Sequence, residues 1–514
     1  MTAGWSHRAS SPVVHPLLFA AFPVVFVWSH NLDQGVTLSQ ALTALVAAMS
    51  FSVVVFCLLR LFLKDWSRSA VAASVIVILF LTLGRIGALL GVLGRPLEAF
   101  LVAELLVLSL VAILAVRKIR PPETLTRTLN LVGLVLVILN IVPIVAVQES
   151  KAAGFRFPSV TERLDPSASG PERDVYYLVF DRYAGAETLR SLYGFDNSGI
   201  YTWLSDHGFE VTEDALANYP QTTHSVASSL NMSYLDDLAR AEGEDSSAWT
   251  PIRRTLHDSA IARTFQAMGY KYEHIGSWWE ATAADPTADD NYVYGTYTEF
   301  LGTFLSTTAV PSIERLFQGT PNIDKEQWDR VHFQMRALGE IVSDPEPTFT
   351  FAHFLLPHVP YIFLADGSFV PSDQDRPVEE MYVDQLKYTN TVIEQVVTGL
   401  QAGSGPAPII VIQSDEGPHP PAHDGWGEEL KVSWGRASDV ELGRKLRILN
   451  AYYLPGDPAI KPYPTITPVN TFRLILNDYF GESLPLLPDR TYVFTDFEHP
   501  YRFEDVTDRL RSPA

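Results

Sequence analysis

Residues 408–417, PIIVIQSDEG, decide the fold. Ile409–Ile412 is a run of β-branched residues, which is typical of a strand buried on both faces of a sheet. The run leads into two adjacent carboxylates, Asp415 and Glu416, followed by a glycine. Unpaired charge is costly to bury, so a positive group is expected beside these acids. A metal ion is the simplest such group.

Strand and helix patterns alternate from residue 174 onward. Residues 174–183 (DVYYLVFDRY) and 347–358 (PTFTFAHFLLPH) read as buried strands, whereas residues 222–232 and 378–400 read as helices. This alternation predicts an α/β fold with a mostly parallel sheet that helices cover on both faces. In such sheets, ligands bind beyond the carboxyl ends of the strands.

The first 150 residues read as membrane-embedded. We predict five transmembrane helices, since several apolar stretches approach the ~20 residues needed to cross a bilayer. The predicted spans are residues 13–28, 41–59, 70–93, 97–116 and 129–147. Basic residues follow the second and fourth spans, so the positive-inside rule places the N-terminus in the cytoplasm. The chain is therefore expected to be a multi-pass cell-membrane protein with everything after the fifth span outside the cytoplasm.

Two ionisable residues, Arg85 and Glu104, lie inside or near these predicted spans. Such residues can be functional; alternatively, Arg85 extends toward the outer membrane surface, and Glu104 pairs with Arg85 or faces a neighbouring helix. We favour the second interpretation.

Residues 151–173 are rich in proline, serine, glycine and charge, as is typical of a linker. The predicted organisation is therefore a transmembrane domain (1–150), a linker (151–173) and an extracytoplasmic catalytic domain (174–514). After residue 150 the chain has 28 basic and 53 acidic residues, which argues against nucleic-acid binding. The single cysteine, Cys57, falls in the second span, so the exported part has neither a disulfide nor a cysteine nucleophile.

Three predicted strands end in metal-binding residue types. Asp181 ends the first strand, His353 and His358 end the second, and Asp415-Glu416 end the third. Each has an ordinary alternative, such as a helix cap, a core histidine or a turn. Carboxylates and imidazoles meeting at one sheet edge are nevertheless what a divalent cation requires.

The stretch NYPQTTHSVASSL supplies a candidate nucleophile. Thr222, Thr223 and Ser225 follow Pro220 at a predicted helix N-terminus, where free N–H groups and the helix dipole favour an anion. A hydroxyl bound to a metal there can lose its proton and attack phosphorus or sulfur. The alternative is that Thr222 or Thr223 is an N-cap.

With these motifs the chain resembles the lipoteichoic acid synthase family of membrane phosphoglycerol transferases, in the sulfatase-like branch of the alkaline phosphatase superfamily. The resemblance covers the five-span anchor and nearly all of residues 174–490. It implies an alkaline-phosphatase-like fold and one divalent cation, with Asp181 (YYLVFDRY) and Asp415 (QSDEG) as ligands. Thr222 matches the catalytic threonine, which is also a metal ligand, through its spacing to Ser225.

The resemblance also suggests substrate contacts. His358, in LPHVPY, resembles the family's substrate-binding histidine, and GYKYEHIGSWW lies where relatives place a histidine and a tryptophan around the head group. Trp278 and Trp279 could equally be packing aromatics. The residues predicted to bind substrate are His358, His353, His274, Trp278, Trp279 and Arg182.

Glu416 departs from the family pattern, which has histidine after the aspartate. The predicted metal ligands are therefore Asp181, Thr222, Asp415 and Glu416, an all-oxygen shell. Oxygen ligands suit Mn²⁺ or Mg²⁺ better than Zn²⁺, and Ca²⁺ is also compatible.

Four functions fit this sequence. The first is a transferase that moves a phospho-head group, phosphoglycerol-like, from a membrane phospholipid through Thr222 to an exported glycan or lipid. The second is a phosphodiesterase or sulfatase-like hydrolase, although a sulfatase proper needs a Cys/Ser-x-Pro-x-Arg motif. The third is a phosphoethanolamine transferase, a class that usually carries disulfides. The fourth is an inactive protein of the same fold, for which Glu416 is the main argument.

Overall fold

The structure is a computed structural model. It describes residues 12–32, 36, 38–90, 98–118, 123–146, 154–158, 173–295, 298–318, 322–372, 374–420, 431–456, 458–459 and 461–511. The chain forms two compact units. One comprises Met1–Glu149 and Tyr297–Ile323, and the other comprises Ser150–Thr296 and Asp324–Ala514.

The first unit is helical. Its helices are α1 (His15–Ser29), α2 (Leu38–Leu63), α3 (Trp66–Leu89), α4 (Glu98–Lys118), α5 (Glu123–Ala146), α12 (Glu299–Ser306) and α13 (Val310–Gln318). The predicted five apolar N-terminal helices are all present. Four of them, α2 to α5, are long and apolar enough to cross a membrane, whereas α1 is shorter. Helices α12 and α13 come from the region that the sequence placed in the exported domain.

The Arg85 guanidinium lies 4.7 Å from the centre of the Phe26 ring on α1. Among the described residues, no ion pair is recorded between Arg85 and Glu104. The pairing expected for these two side chains is therefore not seen there.

The second unit is built on a seven-stranded sheet of order β2-β7-β6-β1-β5-β3-β4. Its strands are β1 (Val175–Phe180), β2 (Phe209–Val211), β3 (Lys271–Ile275), β4 (Asp290–Tyr292), β5 (Thr348–Phe354), β6 (Ile409–Gln413) and β7 (Asn450–Tyr453). β1 pairs in parallel with β5 and β6, and β3 pairs in parallel with β4 and β5. Only β7 pairs antiparallel with its neighbours β2 and β6. The predicted mostly parallel sheet is confirmed.

Helices cover both faces of this sheet. The helices of this unit are α6 (Ala186–Tyr193), α7 (Ser198–Asp206), α8 (Thr222–Leu230), α9 (Asp236–Glu242), α10 (Thr250–His257), α11 (Ala260–Ala267), α14 (Asn322–Ile341), α15 (Val378–Gly403), α16 (Asp439–Leu446), α17 (Thr471–Tyr479) and α18 (Thr507–Arg511). Alternate residues of β1 serve two cores: Tyr177 packs with α8 and α17 on one face, and Leu178 packs with α15 on the other. A small second sheet joins β8 (Tyr492–Phe494) and β9 (Phe503–Asp505).

The strand register brings together the carboxyl ends of β1, β5 and β6, where the sequence predicted metal-binding residues. Val179 on β1 lies opposite His353 on β5 and opposite Gln413 on β6. Asp181 is two residues beyond Val179, and Asp415 is two residues beyond Gln413. Because side chains alternate along a strand, all three functional side chains share the sheet face that α8 covers.

Candidate active site

Asp181, His353 and Asp415 form a buried cluster at the carboxyl ends of three adjacent strands. Each offers one ligand atom, and these atoms lie within 4.8 Å of one another. His353 Nε2 is 3.6 Å from Asp181 Oδ2. Within the described part of the chain, Asp181 Oδ1, His353 Nε2 and both Asp415 oxygens are buried without a hydrogen-bond partner of good geometry. Buried polar atoms left unpaired are costly, so this donor set fits a divalent cation.

His353 is held in the orientation that a metal ligand needs. Its Nδ1 shares a 2.8 Å hydrogen bond with Thr282 Oγ1, which in turn bonds to Ser277 Oγ at 2.8 Å. The second ring nitrogen, Nε2, is thereby directed at Asp181. The sequence assigned His353 to substrate, but the structure groups it with the two aspartates. A cation bound by this cluster could therefore have an imidazole ligand as well as the predicted oxygen ligands.

The carboxylates of the cluster differ in their tendency to ionise. Burial opposes ionisation of Asp181, but the charge of His358, a hydrogen bond to His353 and the charge of Arg182 lower its pKa to about 2. Burial and the negative charge of Asp181 raise the pKa of Asp415 to about 7. The two acids therefore resist sharing the site as anions, and a bound cation would remove that conflict.

Glu416 lies beside two protein cations, of which the sequence analysis did not anticipate Lys445. Its Oε1 lies 2.6 Å from Lys445 Nζ and 3.7 Å from Arg182 Nε. Burial raises the pKa of Glu416 to about 8, against the opposing effect of Lys445. In the described residues Oε2 is buried with no hydrogen-bond partner. The role of Glu416 as a metal ligand stays a prediction. Because Oε1 pairs with Lys445, Oε2 is the oxygen that could bind a cation.

Lys445 is the centre of a small buried polar group. Besides Glu416, its Nζ donates a hydrogen bond to Gly417 O at 2.9 Å and lies 3.1 Å from His419 Nδ1. Gly417 N donates to Lys445 O at 2.6 Å, and a Cβ on Gly417 would clash with the Arg444 carbonyl oxygen. The glycine after the two acids therefore allows α16 to approach their turn closely.

Two turns at the strand ends are tied together. Ser414 Oγ accepts a hydrogen bond from Tyr183 N at 2.9 Å and donates to Glu416 O at 2.6 Å. Arg182 adopts a left-handed φ of 62°, which is uncommon for a residue other than glycine. The Tyr382 hydroxyl donates to Arg182 O at 2.8 Å. These bonds fix Asp181 and Arg182 relative to the Asp415-Glu416 turn.

Thr222 is the first residue of α8, and the residue at the N-cap is Gln221. The N-cap alternative for Thr222 and Thr223 therefore does not apply. The Thr222 hydroxyl lies close enough to Asp415 to lower the pKa of that carboxyl, although burial dominates. Thr222 keeps 6% of its surface exposed, whereas Thr223 and Ser225 are almost fully enclosed. Of these three hydroxyls, that of Thr222 is the most accessible.

The other predicted substrate residues divide into two groups. The half-buried Trp278 ring packs against His358 at a centroid distance of 5.7 Å, and Trp279 packs against His353 at 6.1 Å. His274 instead lies within β3, buried beside Phe351, and burial lowers its pKa to about 3. The contact between His274 and substrate stays a prediction.

Sequence reasoning missed Lys445, Thr282 and Arg330. Lys445 occupies the apolar face of α16 between Leu442 and Leu446, all three buried, and a lysine at that position is the signal that could have revealed it. Arg330 is buried beside a small cleft that Trp278 also lines. Nothing in the helical pattern around Arg330 separates it from a surface arginine.

Residues 200–464, just over half of the chain, match the family model described as Sulfatase. That range includes Thr222, His353 and Asp415 but not Asp181. No curated protein sequence matches the chain.

Several solved structures are similar to the chain. The C-terminal periplasmic domain of EcEptC from Escherichia coli, in complex with Zn, is 12% identical, with a TM-score of 0.42, over 66% of this chain and 93% of that one. The lipoteichoic acid synthase LtaP from Listeria monocytogenes is 13% identical, with a TM-score of 0.38, over 64% and 79%. The putative sulfatase yidJ from Bacteroides fragilis is 14% identical, with a TM-score of 0.38, over 64% and 82%. From its family match, the chain belongs to the sulfatase family, in the alkaline phosphatase superfamily that its motifs predicted.

Proposed function

We propose that the protein is a membrane-anchored, metal-dependent transferase. It moves a phospho-head group, phosphoglycerol-like, from a phospholipid donor to an exported glycan or lipid through a covalent intermediate on Thr222. The observation that carries this proposal is the Thr222 hydroxyl beside Asp415, at the edge of the Asp181–His353–Asp415 cluster. Helices of membrane-spanning length in the same chain would keep a lipid donor close.

The cation is proposed to bind Asp181, His353, Asp415 and Thr222, with Glu416 Oε2 as a further oxygen ligand. When bound, it would polarise the phosphoryl group and favour the ionised hydroxyl of the nucleophile. We favour Mn²⁺ or Mg²⁺ over Zn²⁺ because carboxylate and hydroxyl oxygens outnumber the single imidazole, and Ca²⁺ also suits oxygen ligands. The His353 nitrogen favours Mn²⁺ among these, since Mg²⁺ and Ca²⁺ prefer oxygen alone.

In the first step, Thr222 Oγ attacks the phosphorus of the donor lipid and passes its proton to Asp415. The bond from phosphorus to the diacylglycerol oxygen breaks, and that oxygen takes a proton from His358 in its cationic form. The head group is then esterified to Thr222. The N-terminus of α8 and the Arg182 guanidinium stabilise the charge on the phosphoryl oxygens.

In the second step, a hydroxyl of the acceptor attacks the same phosphorus and passes its proton to His358. The bond from phosphorus to Thr222 Oγ breaks, and Thr222 recovers its proton from Asp415. Both residues return to their starting state. Trp278, packed against His358, is placed to contact the head group or the acceptor.

A hydrolase is the second candidate, because the matching family model is that of sulfatases. Water would then replace the acceptor in the second step. The residues around the nucleophile read Gln221-Thr222-Thr223-His224, without the Cys/Ser-x-Pro-x-Arg motif of sulfatases proper. Phosphoethanolamine transfer differs only in the head group, and an inactive protein would release no product.

The test uses full-length protein in liposomes of head-group-labelled phosphatidylglycerol, with Mn²⁺. Thr222→Ala should abolish diacylglycerol release, and the matched change Thr223→Ala should be much milder because its hydroxyl is enclosed. Unchanged release by Thr222→Ala would refute the proposal. Label transferred to an added acceptor indicates a transferase, whereas label released to water indicates a hydrolase.

We also propose that the N-terminus is cytoplasmic and that residues after the fifth helix are extracytoplasmic, from the basic residues that follow α2 and α4. A topology reporter fused after Ser167 should give an extracytoplasmic signal, and one fused after Pro121 a cytoplasmic signal. A cytoplasmic signal after Ser167 would exclude access to an outer-leaflet lipid.

A further inference from the structure

A segment that the sequence places between β4 and α14 packs within the unit of N-terminal helices. This segment, the 299–318 hairpin, consists of α12, a tip at residues 307–309, and α13. Phe300 and Phe304 of α12 are buried in one apolar cluster with Val24 of α1, Ala44 of α2 and other residues of these helices. Such packing is typical of contacts inside a helical membrane domain.

The second half of the hairpin packs on the neighbouring pair of helices. Ala309 is fully buried with Leu83 of α3 and with Leu101 and Leu105 of α4, and Ile313 packs against the same cluster. The hairpin therefore contacts α1, α2, α3 and α4.

The tip binds directly to the backbone of α3. Gly84 N donates to Thr307 O at 3.0 Å, and Ala309 N donates to Phe80 O at 2.8 Å. A Cβ on Gly84 would clash with the Ser306 carbonyl oxygen, so glycine is required for this approach. The surface of α3 around Gly84 therefore accommodates the backbone of the tip.

The polar groups of the tip are also satisfied locally. Thr307 Oγ1 donates to Phe304 O and Thr308 Oγ1 donates to Leu305 O, both at 2.7 Å. Non-helical backbone is tolerated at membrane depth only where its hydrogen bonds are made within the protein. The bonds of the tip to α3 and within the hairpin meet that requirement.

The contacts all lie toward one end of the apolar helices. They involve the C-terminal half of α1, the N-terminal half of α2, the C-terminal half of α3 and the N-terminal half of α4. Since the chain reverses direction from helix to helix, these halves share one side of the membrane. It is also the side at which α5 ends.

The depth of the tip follows from helix geometry. Gly84 and Phe80 precede the end of α3 at Leu89 by a few residues, which places the tip roughly 8–14 Å below that end at ~1.5 Å per residue. Helix α12 has the matching length of ~12 Å. The hydrocarbon layer is ~30 Å thick, so the tip lies within one leaflet.

The outer surface of α13 is apolar where it continues the surface of α4. Phe317 is 85% exposed and Leu316 is 47% exposed, and on α4 Phe100 is 69% exposed. Large apolar side chains of this kind are unfavourable in water but ordinary against lipid.

We propose that residues 299–318 form a re-entrant membrane hairpin in the outer leaflet, with Phe317 and Leu316 in contact with the acyl chains of membrane lipids. We assign lipid as the partner of Phe317 and Leu316 because their exposed surface is continuous with the surface of the membrane-spanning helices. The assignment to the outer leaflet rests on the topology proposed above, whereas the insertion of the hairpin into the membrane depends neither on that topology nor on phosphoryl transfer.

The test places single cysteines in full-length protein in which Cys57 is changed to Ser. Phe317→Cys is compared with Val440→Cys, a residue of α16 that is 63% exposed in the other unit. Each protein is reconstituted in phosphatidylcholine liposomes and labelled with a polarity-sensitive fluorophore. Lipids that carry a spin label near the head of the acyl chain are then added as quenchers.

We expect at least a twofold stronger quenching at position 317 than at position 440, together with slow reaction of Phe317→Cys with a membrane-impermeant maleimide. Leu316→Cys serves as the second reporter if Phe317→Cys does not reconstitute. Equal maleimide rates and equal quenching at the two positions would place the hairpin in water and overturn the proposal.

Discussion

Lys445→Met removes the buried cation that lies nearest to Glu416. The lysine is fully buried on α16, and its Nζ is 2.6 Å from Glu416 Oε1. Methionine has a similar volume, so the change mainly removes charge and hydrogen bonds. Glu416 keeps Arg182 at 3.7 Å but loses its closest partner.

The expected cost follows from the burial of this pair. Removing one partner of a buried ion pair typically destabilises a protein by about 3–5 kcal/mol, because the other charge is left without compensation. Burial favours the protonated form of Glu416 while Lys445 favours the ionised form, so the carboxyl takes up a proton more readily when Lys445 is lost. This uptake limits the cost to the lower end of the range, about 3 kcal/mol.

Thermal unfolding of the purified full-length protein, followed by tryptophan fluorescence without added metal, measures this effect. At about 2 °C per kcal/mol, Lys445→Met should lower the Tm by about 6 °C. The control Lys387→Met removes an exposed lysine that pairs with Asp384 at 3.6 Å, and it should shift the Tm by less than about 2 °C.

A double variant separates charge from packing. Lys445→Met combined with Glu416→Gln leaves no uncompensated carboxylate, so it should recover at least half of the lost Tm. A Tm for Lys445→Met that matches the Lys387→Met control, or no recovery in the double variant, would refute the reasoning that Lys445 compensates a buried Glu416 charge.

Three further changes test the site and the helices. Thr282→Val removes the hydroxyl that orients His353 and should weaken Mn²⁺ binding about 10- to 100-fold in calorimetric titration; an unchanged affinity would exclude that role. Glu416→His should raise the affinity for Zn²⁺ relative to Mn²⁺ in competition titrations, and a constant ratio would mean that residue 416 does not contact the cation. Gly84→Ala should destabilise the protein by about 1–3 kcal/mol because the added methyl group displaces the tip of the 299–318 hairpin. The control Gly399→Ala adds a methyl group on α15 where no atom lies within 4 Å, so it should stabilise the protein by up to about 1 kcal/mol. Equal Tm shifts for these two glycine variants would argue against close packing of the hairpin tip on Gly84 of α3.

Much of the catalytic fold was predictable from local pattern. The run Ile409–Ile412 is a buried strand because β-branched residues suit a sheet covered on both faces. The α8 helix begins at Thr222, as the sequence around Pro220 indicated. The position of Asp181 and Asp415 on one sheet edge followed from the parallel strands.

Other features depend on contacts between distant residues, which local pattern does not contain. The strand β7 is too short for its antiparallel direction to be read from sequence. The 299–318 hairpin consists of two short helices with charged residues, and only their packing assigns them to the apolar unit. The direction of the His353 ring depends on its hydrogen bond to Thr282, which is 71 residues away in the chain.

The central claim is that Thr222 carries the transferred group. The most direct measurement is mass spectrometry of peptides from full-length protein that has been incubated with Mn²⁺ and phosphatidylglycerol liposomes and then quenched with acid. The account predicts one phosphoglycerol ester on Thr222, absent from Thr222→Ala and lost when an acceptor is added before the quench. Continued turnover with an unmodified Thr222 peptide, or an ester on Thr223 instead, would contradict it.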